Sequence, residues 1–536
     1  NYFMTSTDTF NFIIVGAGSA GCVVASRLSN AGHKVLLIEA GGKDTSPYIH
    51  IPMGYGKLFK NNKLNWRYNG EPEPFLNNRR SYQPRGKVLG GTGSINGMLY
   101  VRGQPEDYNG WRDQGCIGWG YDDVLPYFKK SQHQVRGESE YHGVGGPLWV
   151  SDLPSKDELA DAFIESSHNL GSVYNDDFNG ISQEGTGYYQ VTTKNNRRWS
   201  TARAFLNNSS TGNHNLKIIT KSLVSKVIIE NGVAKGVCYT NNYGDHIAYS
   251  QNEIILSGGT INSPQLLMLS GVGNGEELKE KGIKVEYDSK QVGKNLQDHF
   301  GVATEYKCTK PITVNDLYHS NFRKISAMMR YFLFKSGPFA SNGNYANTFI
   351  KTNSALKTPD MMVTYMAWCT GEDLGVPRPF SAFTILAEHS RPESRGFVKL
   401  KSSNPNDHPA IQFNFFESEN DRKAIIEGLK FGRKIAQTNP LKNYVKEEIT
   451  PGLNCNTDKE LEDYCKNVGG SMLHCVGTCK MGSSSDSVLD TDLKVRGVQK
   501  LRVIDASIMP RIVSGNTQAA AIMIGEKGAD LILRDN

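Results

Sequence analysis

The run GAGSAG at residues 16–21 makes a glycine-rich turn near the start of the chain. Residues 10–15 before it are apolar and β-branched or aromatic, which predicts a buried strand. Residues 20–30 place apolar side chains on one helical face, and a second apolar run at 34–38 ends at Glu39. This order is typical of a dinucleotide site, in which the helix N-terminus faces a pyrophosphate and the acid bonds a ribose. An ordinary βα turn is the alternative, but the two strands and the acid in register favour the dinucleotide site.

Length and composition limit the classes of protein to which this chain can belong. Its 536 residues predict two domains or one composite domain, and 38% hydrophobic with 21% charged residues is typical of a folded globular protein. The formal net charge of +6 is spread along the chain without a basic stripe between aromatics, which argues against nucleic acid as a partner. The sequence contains no run of about 18 apolar residues, so we predict no membrane-spanning helix. Nine cysteines without a regular framework favour a reducing compartment, so we expect a cytoplasmic protein, with peripheral membrane contact left open.

A second glycine-rich segment, residues 86–98, contains five glycines among thirteen residues. Its backbone is expected to pass close to another group, because glycine has no Cβ to keep neighbours away. A flexible surface loop is the alternative, but interleaved apolar anchors such as Leu89 and Ile95 favour close packing. The polar stretch 41–85 between the two glycine-rich segments is not a simple βαβ crossover and predicts an insertion that wraps a long ligand.

Later parts of the chain also predict strands for the same sheet. Residues 217–220, 224–229 and 233–240 have strand patterns, with a hairpin turn at Asn231-Gly232. Residues 253–259 predict another buried strand that ends in glycines.

Three stretches carry a resemblance to a known family. Residues 86–109 resemble the first signature of the glucose–methanol–choline (GMC) family of flavin oxidoreductases, and residues 259–273 resemble its second. The likeness continues from 292–299 to the C-terminus, and the chain is most similar to choline-dehydrogenase-like and alkanol-dehydrogenase-like members. The resemblance implies FAD as the dinucleotide and an α/β fold, with a Rossmann-like FAD-binding domain and a discontinuous substrate-binding domain built on an antiparallel sheet.

The resemblance also implies that separated segments of chain build each domain. We expect the FAD-binding domain at 1–155, 197–305 and 472–536, and the substrate-binding domain at 156–196 and 306–471.

Cofactor-binding residues are carried over from the family's motifs to the matching positions of this sequence. They lie in the glycine turn, after the second strand, in the second glycine-rich segment, and near the ends of later strands. The expected residues are Gly16, Gly18, Ser19, Ala20, Gly21, Glu39, Ala40, Val88, Gly91, Ser94, Asn96, Gly97, Met98, Leu99, Val224, Ser257, Gly258, Asp505, Ala506, Asn516, Thr517 and Gln518.

Two late positions are expected to be catalytic. His474 matches the histidine that faces the flavin in the family's His-Pro-Val-Gly-Thr motif, and Asn516 matches the second catalytic position, which is His or Asn in members. Cys475 replaces the usual proline, and residues 518–520 replace the common Asn-Ala-Pro, so the flavin environment departs from the pattern. The pair Cys475 and Cys479 lacks the CxxC spacing of a metal site, and we expect no metal.

The resemblance implies oxidation of a primary alcohol to an aldehyde by hydride transfer to flavin N5. Only one GxGxxG run stands between a strand and a helix, so no second dinucleotide site supplies hydride from a nicotinamide, and the alcohol itself must reduce the flavin. A quinone-like carrier is the expected electron acceptor, and oxygen, as in an alcohol oxidase, is the first alternative. A hydroxynitrile lyase, a fatty-acid photodecarboxylase and a flavin-binding scaffold without catalysis are the other interpretations.

Several segments bear on the surroundings of the site. The apolar run 325–334 contains one arginine and predicts either a packed helix or a lid or membrane-touching patch near the site entrance. Segments 342–347 and 361–368 are candidate walls of the substrate site. Ile95 stands where some family members carry a histidine that tethers the flavin, so we expect non-covalent FAD.

Overall fold

Two seven-stranded sheets organise the computed structural model, which describes residues 9–206, 214–371 and 375–536. The first sheet is mostly parallel and the second is antiparallel. Together they give the mixed α/β fold that the resemblance implies.

The first sheet is built around the strand that precedes the glycine turn. Neighbouring strands run parallel through its centre, and a hairpin continues it on one side. Because the central strands carry helices on their faces, they are buried and almost wholly apolar. In sheet order the strands are Leu216–Ile219, Val35–Ile38, Thr9–Val15, Gly244–Leu256, Val233–Asn241 and Leu223–Glu230, with Leu501–Val503 paired to Gly244–Leu256.

The strand predictions for this sheet are confirmed, with bounds that differ by one or two residues. Asn231 and Gly232 have φ of 50° and 76°, the positive values that a two-residue type I′ hairpin turn requires. The strand predicted at 253–259 is the exception to this agreement, because it is the end of the longer strand Gly244–Leu256 and stops three residues earlier than predicted. The predicted helix after the glycine turn spans Ser19–Asn30 and packs against the C-terminal helix Gln518–Asp535.

Successive side chains along the strands of the second sheet alternate between a face that packs in an apolar core and a face that lines a cavity. Val363, Tyr365 and Ile385 belong to an apolar core, which the helices Glu158–Asn169 and Glu419–Ala436 cover. In sheet order the strands are Val445–Thr450, Phe300–Cys308, Ala382–His389, Met361–Met366, Asn344–Ile350 and Gly185–Tyr188, with Gly470–Ser471 paired to Phe300–Cys308.

Smaller elements complete the described part of the chain. The polar stretch 41–85 contains short helical turns and one hairpin rather than a crossover helix. The other longer helices are Pro105–Asp113, Tyr121–Ser131, Gly259–Leu269, Asn321–Phe334 and Asp458–Val468; the hairpin is Tyr68–Pro72 with Arg80–Gln83; and a three-stranded sheet joins Gln132–Gln134, Leu148–Asp152 and Gln190–Val191.

The sheets bear on the expected domain division, which stays a prediction. All strands of the first sheet lie within the ranges expected for the FAD-binding domain. The expected boundary between 305 and 306 falls inside the strand Phe300–Cys308, all of which pairs within the second sheet. Since a strand cannot be divided between two sheets here, a boundary before Phe300 agrees better with the pairing.

Two predicted properties of the whole chain can be compared with the structure. All nine cysteines are free thiols. In the described ranges, no helix combines the length and the apolar character needed to cross a bilayer.

Candidate active site

A cavity of about 520 Å³ is lined by residues of both sheets. All but three of the predicted cofactor-binding residues line it, and so does His474. The two glycine-rich segments, the ends of the parallel strands and the start of the C-terminal helix therefore meet at one place.

Gly21, Val88 and Ser94 do not line the cavity, and each contributes to the packing or hydrogen bonding of the surrounding loops. A Cβ on Gly21 would lie 2.0 Å from the carbonyl oxygen of Gly16, so its glycine permits the tight packing of the turn. Val88 is fully buried in a small apolar cluster. The Ser94 hydroxyl donates to the Leu89 carbonyl at 2.6 Å and fixes the loop.

The two glycine-rich segments form a cradle of bare backbone. Gly16 has φ of 99°, and a Cβ there would lie 2.4 Å from the Ser257 carbonyl oxygen. A Cβ on Gly91 would lie 2.7 Å from the Cα of Gly18. The helix that begins at Ser19 has no side-chain cap, so its first N–H groups are available to an anion. The cradle fits a pyrophosphate.

Glu39 lines the cavity, but both of its oxygens already accept backbone hydrogen bonds. Oε2 accepts from the Ala17 N–H at 2.9 Å, and Oε1 accepts from the Gly41 N–H at 2.8 Å. Burial raises the pKa of Glu39 to about 7, although these two donors oppose the shift. The carboxylate therefore holds the glycine turn in shape, and its remaining lone pairs are available to a ribose hydroxyl.

We expect Glu39→Ala to weaken FAD binding while the remaining holoenzyme keeps its turnover. The loss of a hydrogen bond to a charged group costs about 1.5–3 kcal/mol, which corresponds to an FAD dissociation constant roughly ten- to a hundredfold higher. The measurement is FAD titration of the apoprotein, with the exposed Glu230→Ala as the matched control. An unchanged dissociation constant in Glu39→Ala would rule out this role.

His474 lies at the centre of a hydrogen-bond network. Its Nδ1 is 3.1 Å from Glu388 Oε1 and 3.0 Å from His299 Nδ1, while its Nε2 is 3.1 Å from Asn516 Nδ2. An amide nitrogen only donates, so Nε2 accepts from Asn516 and carries the lone pair. We assign the proton to Nδ1, where the Glu388 carboxylate accepts it.

The backbone of His474 is held as firmly as its ring. The Asp298 Oδ1 accepts from the His474 N–H at 2.8 Å, and the His299 Nε2 bonds the Val513 carbonyl at 3.0 Å. His299 and Glu388 are almost fully buried, and the side chain of His474 is 15% exposed. The imidazole thus has one fixed orientation toward the cavity.

Buried charges set the protonation of this network. Burial lowers the pKa of His474, but the Glu388 carboxylate, with Asp298, outweighs burial and holds that pKa above its ordinary value. Burial raises the pKa of Glu388, but His474 and His299 outweigh it and hold that pKa well below its usual range. Glu388 is therefore ionised and favours a proton on His474.

His299, Glu388 and His474 also form a set that could hold a metal ion, because their ligand atoms lie within 4.8 Å of one another. Separations of 3.0–3.1 Å are those of hydrogen bonds, and the network accounts for them without an ion. Cys475 and Cys479, which the sequence placed beside His474, lie in different apolar clusters.

Two polar atoms of the C-terminal segment are buried at the cavity without a partner in the described residues. They are Oδ1 of Asn516 and Nε2 of Gln518. Since a buried polar atom without a partner is costly, these atoms point to a ligand that bonds them. The cradle, Glu39 and these atoms fit FAD.

The cavity continues along the second sheet as a largely apolar chamber. Met362 pairs in register with Glu388, and Thr364 pairs with Leu386, so these alternate side chains line the wall beside His474. Other residues of the chamber are Tyr55, Phe59, Tyr189, Met366 and Trp368.

Neither Glu388 nor His299 was predicted as a site residue. A glutamate within the apolar strand Ala382–His389 was a usable signal, because a buried charge requires partners. Nothing in the sequence near His299 indicated its contact with His474.

Comparison with known proteins gives the family. The GMC oxidoreductase profiles match residues 10–301 and 392–525. The chain is 40% identical over 529 residues to the alcohol dehydrogenase [acceptor] of Pseudomonas putida, covering 98% of this chain and 96% of that protein. It is 40% identical over 537 residues to the mitochondrial choline dehydrogenase of Homo sapiens, covering 98% and 90%.

A solved structure agrees with this result. Formate oxidase from Aspergillus oryzae RIB40, from a study of FAD modification, superposes with a TM-score of 0.93 at 28% identity and covers 99% of both chains. The predicted glycine turn, both family signatures and the fold therefore have one explanation, which is that the chain belongs to the GMC oxidoreductase family.

Proposed function

We propose that this protein is an FAD-dependent oxidoreductase that converts a primary alcohol to an aldehyde and passes the electrons to a quinone-like carrier. The observation that carries the proposal is the orientation of His474, whose Nε2 lone pair faces the cavity between Asn516 and the apolar chamber. A hydroxyl group that enters the chamber and takes the place of the Asn516 amide at Nε2 can give its proton to that nitrogen.

Bound FAD supplies the hydride acceptor, and the chain's own residues manage the alcohol. The hydroxyl of an alcohol is about as weakly acidic as water, with a pKa near ~16, whereas free histidine has a pKa near ~6.5. His474 therefore cannot remove the proton in advance, and we infer that it takes the proton as the C–H bond of the alcohol breaks. Glu388 stabilises the imidazolium that results, because it already accepts from Nδ1.

Asn516 is expected to fix the position of the alcohol oxygen. Once the alcohol hydroxyl occupies His474 Nε2, the Asn516 Nδ2 group is available to donate to the alcohol oxygen, and Oδ1 of Asn516 has no partner in the described residues. An oxygen bound between Asn516 and His474 Nε2 would be held in one direction, which lowers the entropic cost of the reaction.

The chamber favours an alcohol with an apolar body. Beside Glu388 the wall presents Met362 and Leu386, and Glu388 itself is committed to two histidines. A cationic substrate such as choline would find no uncommitted acid on this wall, although the aromatic side chains Tyr55, Tyr189 and Trp368 of the chamber make it the competing candidate. We therefore propose an alkyl or aryl primary alcohol as the substrate class.

The test is anaerobic mixing of the holoenzyme with a panel of alcohols while the flavin absorbance is recorded. We expect apolar primary alcohols to bleach the flavin and choline to bleach it far more slowly. Reoxidation by a soluble quinone that outpaces reoxidation by oxygen supports the proposed acceptor, and the reverse identifies an oxidase. A flavin that no alcohol bleaches would contradict the proposal and favour the lyase or scaffold interpretations.

We expect the FAD to be bound non-covalently. The side chain of Ile95, which stands where some family members tether the flavin, is buried and has no nucleophilic atom. Acid precipitation of the holoenzyme should therefore leave a colourless pellet and a yellow supernatant. Flavin that stays with the washed pellet would contradict this prediction.

A further inference from the structure

The helix Asn321–Phe334 presents an unusual apolar surface. Ala327 and Tyr331 are its buried side chains, and they lie one turn apart on a single stripe. On the other side of the helix, large apolar side chains are exposed, with Phe322 at 82% and Leu333 at 72%. The exposed set on this side is Phe322, Ile325, Met328, Met329, Phe332 and Leu333, and Phe334 is also exposed, at the C-terminal end of the helix. We name the set of six the apolar face.

Positive charge borders the apolar face. At about 100° per residue, Arg323 and Arg330 lie on one side and Lys324 on the other side, between the apolar face and the buried stripe. Lys335 follows the helix directly, and its ammonium donates to the Phe332 carbonyl at 3.1 Å. In the described chain, none of these four forms an ion pair; Arg323, for example, donates to the Pro311 carbonyl. The sequence from 317 to 359 contains no aspartate or glutamate. The surface around the apolar face is therefore cationic without local neutralisation.

These two properties select one kind of partner. An amphipathic helix with large apolar side chains on one face and cations along both borders lies in the interface of an anionic lipid bilayer, with the cations at the headgroups. A second copy of the chain fits less well, because a two-fold interface would bring the four cations of each copy together without acids of this segment to pair them.

The helix is also close to the substrate chamber. Tyr318 belongs to the short helix that precedes Asn321–Phe334, and its ring centroid lies 5.2 Å from the Lys57 ammonium. Tyr55, two residues before Lys57, lines the cavity. On the other side, the chain passes through one helical turn to Asn344, whose Nδ2 donates to the Tyr55 hydroxyl at 3.1 Å. A surface that holds this helix would thus be near the chamber wall.

We propose that the apolar face docks the enzyme on an anionic membrane surface. Its apolar side chains enter the headgroup region, and its cations contact lipid phosphates. One consequence rests on the proposed function: an apolar alcohol or a quinone dissolved in the bilayer would meet the enzyme beside its chamber.

The test is flotation of the holoenzyme with phosphatidylcholine vesicles prepared with and without phosphatidylglycerol. We expect binding to the vesicles with phosphatidylglycerol, and weaker binding as salt is raised, because salt screens the attraction. The double variant Phe332→Ser/Leu333→Ser should bind about a hundredfold more weakly. Arg323→Gln/Arg330→Gln should lose about fivefold per cation.

Ile117→Ser/Ile181→Ser is the matched control, because it removes two apolar side chains that are exposed elsewhere, at 73% and 86%. It should bind as the native enzyme does, and all variants should keep their flavin. Equal binding by Phe332→Ser/Leu333→Ser and the native enzyme would overturn the proposal. The proposal would also be overturned if the native enzyme does not bind the vesicles and instead forms a dimer that Phe332→Ser/Leu333→Ser dissociates. Flotation requires no alcohol, so its outcome is separate from that of the proposed function.

Discussion

His474→Ala should slow the reduction of the flavin by about 10²–10⁴-fold, with FAD still bound, because positioned acid–base groups typically contribute this much. His474 is assigned the lone pair at Nε2, the atom that contacts Asn516 at the cavity. The alanine leaves the cradle and Glu39 untouched, so the flavin content should stay native. The measurement is anaerobic stopped-flow reduction by the best alcohol of the panel.

Asn516→Ala is the comparison for this prediction. It should slow flavin reduction less than His474→Ala does, because it removes the group that orients the alcohol and leaves the proton acceptor in place. The double variant should lose less than the product of the two single effects, since both residues act on one substrate oxygen. A fully multiplicative loss would indicate that His474 and Asn516 act independently, against the shared-oxygen arrangement.

Glu388→Gln should move the pH dependence of flavin reduction to lower pH. In the native enzyme the neutral imidazole is the active form, so the rate falls as pH decreases through the pKa of His474, which Glu388 holds above its ordinary value near ~6.5. A glutamine oxygen can still accept from Nδ1–H of His474. The substitution removes the negative charge of Glu388, however, and burial then lowers the pKa of His474. The acid limb should therefore appear at lower pH than in the native enzyme.

The Glu388→Gln prediction has a graded control. Asp298 also raises the pKa of His474, but less than Glu388 does, so Asp298→Asn should shift the limb in the same direction by a smaller amount. The profiles are compared at saturating alcohol. A limb that stays in place in Glu388→Gln would show that the titrating group is not His474.

Local patterns predicted the elements around the first glycine turn. The strand, turn, helix and acid around Gly16 lie between Thr9 and Glu39, and hydrophobic periodicity together with glycine spacing is sufficient to find them. The C-terminal helix begins at Gln518, directly after the polar residues Asn516 and Thr517.

The partners of His474 could not be predicted in this way. Glu388 and His299 are 86 and 175 residues away from it in sequence. They meet because the strands Phe300–Cys308 and Ala382–His389 pair with Gly301 opposite Glu388. No local pattern fixes the register of two strands that are separated by so much chain.

For the exposed helix Asn321–Phe334, the sequence predicted the element but not its surroundings. The sequence left a packed helix and a membrane-touching patch as alternatives for 325–334, and periodicity alone does not say which face finds a partner. The structure extends the helix back to Asn321, where the Ser320 hydroxyl accepts from the Arg323 N–H, and it leaves most of the large apolar side chains exposed.

The central claim is that neutral His474 takes the proton of an alcohol that reduces the bound flavin. Its most direct test is anaerobic flavin reduction by one apolar primary alcohol, recorded against pH in the native enzyme and in His474→Ala. We expect the native rate to rise with pH to a plateau, through an apparent pKa above ~6.5, and the variant rate to be slow and without that limb. A variant that is reduced as fast as the native enzyme, with the same pH dependence, would contradict the claim.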